Sequence, residues 1–297
     1  MAATQTATTG QQVLRVETRR ARRSRRYARY VAMWLAGGAV AAVIMIPLAY
    51  AVLDGFKTNG ELVGSPALLP QEWVTTNYTD LLGSGEFWRF LANSLIVTAV
   101  TVGLVVSFAS FAAYVLARFT FRGRELVYTL FTLGLLFPIA VAILPLFVEL
   151  RGLNLLGNPL GVALPQAAFG LPLTIIILRP FFRSVSRELE DAARVDGCGS
   201  FGFFWRILLP LSRPALATVT VLAIVGSWNA FFLPLLVFQG GEQWTLPLGV
   251  MNFSSEHNSD WAKILAFTSL SMVPAVVFYV IAERHIVSGL TAGSVKG

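Results

Sequence analysis

The sequence predicts an all-α integral membrane protein with six transmembrane helices and both termini in the cytoplasm. Three observations lead there. Of its 297 residues, 55% are hydrophobic and only 13% charged, about half the charge of a soluble globular chain. Six stretches of spanning length contain no Asp, Glu, Lys or Arg. The basic residues gather on alternate connecting segments. Mean hydropathy is +0.66.

The uncharged stretches are residues 30–53, 93–117, 126–148, 159–178, 214–238 and 264–282. Each approaches or exceeds the roughly 20 apolar residues that a spanning helix needs. None shows the ten-residue alternation of an outer-membrane barrel strand. Several carry proline (Pro47, Pro138, Pro145, Pro165, Pro172, Pro234, Pro274), which spanning helices tolerate as kinks. The run 31–48 exceeds the roughly 7–15 residues of a signal-peptide core, so the first stretch is read as a span. Residues 1–29 then form a basic cytoplasmic tail, expected to be irregular and to lie near anionic headgroups.

Orientation follows from the positive charge. Lys and Arg number 8 in 1–30, 3 in 118–125, 6 in 179–213 and 2 in 283–297, against 2 in 54–92, 1 in 149–151 and 1 in 239–263. Basic residues mark the cytoplasmic side. Segments 54–92 and 239–263 therefore face outward. The net charge of +7 belongs to this asymmetry and to the lipid bilayer, with no nucleic acid implied.

Chemistry within the chain is excluded class by class. One cysteine, Cys198, and two distant histidines, His257 and His285, provide neither a disulfide framework nor a metal cluster. No Ser/His/Asp set indicates a membrane-embedded hydrolase. No phosphate-binding glycine loop ending in Lys-Ser/Thr is present, so the chain carries no nucleotide site of that type. Ion-coupled carriers commonly place ionisable groups on their pathway. The charge-free spans make a secondary transporter the weaker alternative.

The segment between the fourth and fifth spans is the most informative. Ser186 is a candidate N-cap, and Glu188, Glu190 and Asp191 crowd the first turns, where acids favour the helix dipole. Gly197 can end the helix in a left-handed conformation. Leu189, Ala192, Ala193 and Asp196 have the spacing of one helical face. That small-residue face suits docking into another protein.

Asp191-Ala192-Ala193, Gly197, Ile207 and Leu209-Pro210 fall at the intervals of the EAA loop, here about 187–210. The segment resembles that loop in ABC-importer permeases. Asp191 replaces the motif's Glu, and Cys198 follows Gly197 where Ala is usual. Similarity to the carbohydrate branch extends to Asn93-Ser94-Leu95, to the Tyr114–Arg118 and Gly123-Arg124 region, to Ser227-Trp228-Asn229 with Pro234-Leu235, and to the tail 289–297. The tail is similar to the MalG-type member of a permease pair, with residues 30–297 forming the permease domain.

The resemblance implies a multi-pass protein of the bacterial cell membrane that performs no catalysis. Its implied partners are a MalF-type permease, two ABC ATPase subunits and an extracytoplasmic sugar-binding protein. ATP and Mg would sit on the ATPase, and this chain would bind no cofactor. The segment around 187–196 becomes a cytoplasmic coupling helix, with Leu189, Glu190, Asp191, Ala192, Ala193, Asp196, Gly197 and Pro210 as the ATPase-coupling residues. Charge-free spans suit a neutral sugar or oligosaccharide, with an importer of glycerol phosphate or another non-sugar solute as the alternative. Asn93, Gln166 and Asn229 could hydrogen-bond hydroxyls on the substrate pathway, and Trp228 could stack on a sugar face.

The charge asymmetry gives a direct prediction. Cysteines introduced at Thr76 and Ser254 should react with an impermeant thiol reagent added outside intact cells, and native Cys198 should not. Labelling of Cys198 from outside would overturn the topology.

Overall fold

The computed structural model describes residues 3–64, 67–254 and 259–292, with side chains from 29 to 281 within those ranges. The helices are α1 (Ala3–Asp54), α2 (Asn59–Gly64), α3 (Thr76–Gly83), α4 (Gly85–Arg118), α5 (Arg124–Gly134), α6 (Ile139–Gly152) and α7 (Pro159–Ser184). They continue as α8 (Arg187–Val195), α9 (Ser200–Phe203), a π-helical turn (Phe204–Leu208), α10 (Leu209–Leu211), α11 (Arg213–Trp228), α12 (Phe232–Val237), α13 (Leu246–Gly249) and α14 (Trp261–Ala292). No strand occurs among the described residues beyond an isolated bridge between Ser254 and Ser259.

Four helical segments are long and apolar enough to cross a membrane: Arg29–Asp54, Gly85–Arg118, Pro159–Ser184 and Trp261–Ile281. They contain the expected first, second and fourth spans and all but the last residue of the sixth. Two bent pairs complete a possible six. Arg124–Gly134 and Ile139–Gly152 meet at 97°, and Ser200–Leu211 and Arg213–Trp228 at 79°.

The expected third and fifth spans are therefore not continuous helices, and proline explains both breaks. A helix through Pro138 would set its ring against the carbonyl of Gly134, and Phe137 is biased away from α geometry. The helix stops at Gly134 and restarts after Pro138, which has φ −73° and ψ 124°. Pro234 would oppose the carbonyl of Ala230 in the same way. The helix expected through residue 238 ends at Trp228 and resumes at Phe232.

The basic tail differs too. It is helical from Ala3 and forms the first part of the unbroken helix α1, in keeping with the good helix propensity of Ala, Gln and Arg. The tail segment 293–297 lies outside the described residues.

The most extensive packing joins α4 to α7, with α11 and α14 added around them. Small residues allow the close approach that helix pairs in membranes use. Ala109, Ala113 and Ala117 of α4 and Ala163 and Ala167 of α7 are buried. A Cβ at Gly170 would stand 3.0 Å from a Val105 methyl. Ser84 caps α4, accepting from the Phe87 N–H, and Asn158 caps α7, accepting from Leu160. Helix α1 packs along α14 and leaves apolar side chains such as Trp34 and Val43 exposed.

Polar ties fix the connections on the side opposite α8. The Asn93 amide donates to the carbonyls of Glu242 and Trp244, both at 3.0 Å, and the Leu246 N–H donates to Ser94 Oγ at 2.8 Å. The Asn77 amide donates to the carbonyls of Gly55 and Lys57, and the Asn59 amide to Asp260.

Gly161 gives a prediction because a Cβ there would collide with the Leu155 carbonyl oxygen. Gly161→Ala should cost about 1–3 kcal/mol by overpacking and lower the thermal midpoint in detergent. Gly103, also helical, has nothing within 4 Å of the place a Cβ would take. Gly103→Ala should hold or raise that midpoint, since helical Ala is favoured by about 0.5–1 kcal/mol.

Candidate functional site

The loop between α7 and α11 is built as a short helix with defined ends. Ser186 Oγ accepts from the Glu188 N–H at 3.1 Å. At the other end Gly197 takes φ +78°, the region that favours glycine. The chain then reverses, and the Cys198 N–H returns to the Ala193 carbonyl at 2.8 Å. Both ends agree with the sequence expectation.

The faces of α8 do not. Leu189, Asp191, Ala192, Val195 and Asp196 are exposed, whereas Glu190 and Ala193 are buried. The single docking face expected to include Ala193 therefore loses it to the chain's own core, where it joins Tyr114, Phe182, Phe203 and Phe204. Helical spacing establishes which residues are neighbours and leaves open where the face edge falls. Glu190 turns inward because it has a cationic partner there. Pro210 lies in α10, just before the 79° corner into α11.

That partner is Arg118, at the last residue of α4. One guanidinium nitrogen lies 3.5 Å from Glu190 Oε2, and the other donates to the Val185 carbonyl at 2.7 Å. The group also stands 5.8 Å from the centre of the Phe203 ring, within reach of a cation–π attraction. Arg194 bridges Glu190 from the open side at 2.7 Å. One turn back along α4, the Tyr114 hydroxyl donates to the Ser200 carbonyl at 2.9 Å.

A second arginine closes the same corner. Arg179 donates through Nε to the Leu116 carbonyl at 3.1 Å, pairs with Glu125 at 2.5 Å and covers the Tyr128 ring at 3.9 Å. Arg118 and Arg179 are missed as site residues when basic residues serve only to count charge. The available signal was the i, i+4 pair of Tyr114 and Arg118 at the end of a span.

Deeper in the bundle a cavity of about 520 Å³ lies where the two interrupted helices meet α4 and α7. Leu135 and Ile139 flank one interruption, and Asn229, Ala230 and Phe231 form the other. Gln166 supplies the main polar group. Its Oε1 accepts from Thr101 at 2.9 Å and from Ser227 at 2.7 Å. Its Nε2 is buried without a hydrogen-bond partner.

Of the four residues expected on a substrate pathway, the cavity brings together Gln166 and Asn229. The other two serve elsewhere. Asn93 ties the 242–244 connection, and Trp228 is buried edge-on to Phe278 in a core with Phe90 and Phe267. Among the described residues no cluster of His, Cys, Asp or Glu could hold a metal.

Residues 105–290, which contain α8 and the cavity's principal polar group, match the family model described as "Binding-protein-dependent transport system inner membrane component". The chain is 33% identical over 256 residues to the diacetylchitobiose uptake system permease protein NgcG of Streptomyces coelicolor, covering 86% of this chain and 85% of that one. It is 32% identical over 257 residues to the arabinooligosaccharides transport system permease protein AraQ of Bacillus subtilis, covering 85% and 91%. Its fold matches a chain of a bacterial ABC transporter involved in the import of the acidic polysaccharide alginate. That match has a TM-score of 0.73 and 24% identity, over 86% of this chain and 95% of the other. The helical bundle, its intramembrane cavity and the family match together make this chain a member of the binding-protein-dependent transport system inner membrane component family, a permease subunit of an ABC importer.

Proposed function

We propose that this subunit forms half of a sugar or oligosaccharide pathway and is driven through α8 by a partner ATPase. The observation that carries the reading is the exposed face of Leu189, Asp191, Ala192, Val195 and Asp196 on a helix whose other face is anchored in the chain's own core. Such a helix can receive a load from a partner without peeling away. In this reading α8 to α10 lie on the cytoplasmic side, α5 with α6 and α11 with α12 each make one interrupted span, and both termini are cytoplasmic. Two ATPase subunits bind ATP and Mg, a MalF-type permease completes the pathway, and an extracytoplasmic binding protein delivers the solute.

Substrate class rests on two supports. The curated relatives named above are permeases for oligosaccharide uptake. The cavity offers amides and hydroxyls from Gln166, Asn229, Thr101 and Ser227 among apolar walls, with no charged side chain among its lining residues. Hydroxyl-bearing neutral solutes match that lining, whereas an isolated anion would lose its hydration without a cationic partner.

Two experiments test these readings. Ala192→Trp places a large side chain on the exposed face of α8, where it leaves the chain's own packing alone. Overpacking a docked contact costs about 1–3 kcal/mol, and about 1.4 kcal/mol is a tenfold change in association. The purified complex should lose ATPase subunits and uptake while the permease pair stays intact, and Asp191→Glu should be tolerated. Full ATPase stoichiometry with undiminished uptake in Ala192→Trp would refute docking through this face. For the substrate, ATP hydrolysis by the reconstituted complex with its binding protein should respond to a neutral saccharide. Stimulation by glycerol phosphate, with no response to neutral saccharides, would contradict the sugar assignment.

A further inference from the structure

Two routes lead from α8 into the membrane. The covalent route passes through α9, a π-helical turn over Phe204–Leu208 and the 79° corner into α11. A π-helical turn has wider hydrogen-bond spacing than an α-helix and is frequent at functional sites. The corner itself holds Ser212, buried with its hydroxyl unpartnered. This route is itself packed in the core, where Phe203, Phe204, Leu208 and Ala215 are buried.

The second route runs through side chains. Arg118 holds the segment before α8 through the Val185 carbonyl, the middle of α8 through Glu190, and the segment after it through the Phe203 ring. Tyr114, one turn away on the same face of α4, holds the Ser200 carbonyl. The Arg118 side chain is only 3% exposed. One terminal nitrogen hydrogen-bonds Val185, the other lies at ion-pair distance from Glu190, and Nε is buried without a hydrogen-bond partner. Helix α4 has 34 residues, about 50 Å at 1.5 Å per residue. It continues unbroken to Thr101, which bonds Gln166 in the cavity, and to Ser94, which accepts from Leu246 beyond it.

We infer that Arg118 is a positioning residue that joins α8 and α4 into one mechanical unit, so that displacement of α8 enters the membrane along α4 and reaches the cavity at Thr101. The inference rests on the proposed docking of an ATPase to α8. It assigns to α4 a transmission route of its own beside the covalent connection to α11.

The test uses the complete complex reconstituted with its binding protein and ATPase subunits, and reads solute uptake per ATP hydrolysed. Arg118→Met keeps a long stem against Phe203 and leaves Glu190 paired with Arg194. It should insert, pair with the partner permease and retain ATPase subunits at wild-type stoichiometry. Uptake per ATP should fall about tenfold, the equilibrium change expected when a charge-assisted pair is lost. Arg118→Lys keeps the charge and can reach one of the two partners, so it should restore part of the ratio. Wild-type uptake per ATP in Arg118→Met would overturn the inference. So would loss of ATPase subunits from Arg118→Met, which would assign Arg118 to docking, or failure of both variants to insert, which would leave it a folding role alone. Failure of the docking reading is separate: it appears as intact stoichiometry and uptake in Ala192→Trp, whatever Arg118→Met does.

Discussion

The guanidinium of Arg118, closed in between the end of a span and the loop beneath it, is the constraint on which the rest of the molecule depends. A buried cation is costly unless it is paired and hydrogen-bonded. Here the compensating groups come from three places in one loop: Val185, Glu190 and the face of Phe203. Satisfying the charge therefore determines where the loop sits. Arg179 repeats the logic from α7, capturing the Leu116 carbonyl of the last turn of α4 and pairing with Glu125 at the start of α5. The corner where α4, α5, α7 and α8 meet is thus held by two arginines, with Arg194 and Arg124 as the second partners of Glu190 and Glu125.

Above this corner the molecule divides into stiff and adjustable parts. The α4–α7 pair is stiff, with alanines and Gly170 allowing close contact along its length. The adjustable parts are the 97° break at Pro138 and the gap before Pro234. The cavity opens where the two proline-dependent breaks face the stiff pair, and Gln166 spans the gap by accepting from Thr101 of α4 and Ser227 of α11. A site built between a rod and two breaks can exchange one packing for another without deforming its core, the usual form of switching between states.

The sequence made four spans legible because an uncharged run of about 20 residues leaves few alternatives, and it made both ends of α8 legible because Ser186 and Gly197 have specific backbone roles. The two breaks were hidden. Pro138 and Pro234 sit within runs whose average hydropathy is unaffected by geometry, so a kink and a full interruption look alike. The inward turn of Ala193 and Glu190 was hidden for another reason: the residue that draws Glu190 inside is Arg118, distant in sequence and visible only when the chain is folded. Asn93 and Trp228 show the same limit. An amide and an indole in apolar runs fit a solute pathway as well as they fit a loop tie and a packed core, and only position separates these roles.

The central claim is that α8 and α4 move as one body. It is tested most directly by the distance between spin labels at Val195, exposed on α8, and Val115, exposed on the last turns of α4, in a Cys198→Ser background. Measured in the full complex by pulsed electron resonance, that distance should be the same in the nucleotide-free and ATP-trapped states. A shift in the distance distribution on ATP binding would mean that α8 slides across the end of α4, and would contradict the account.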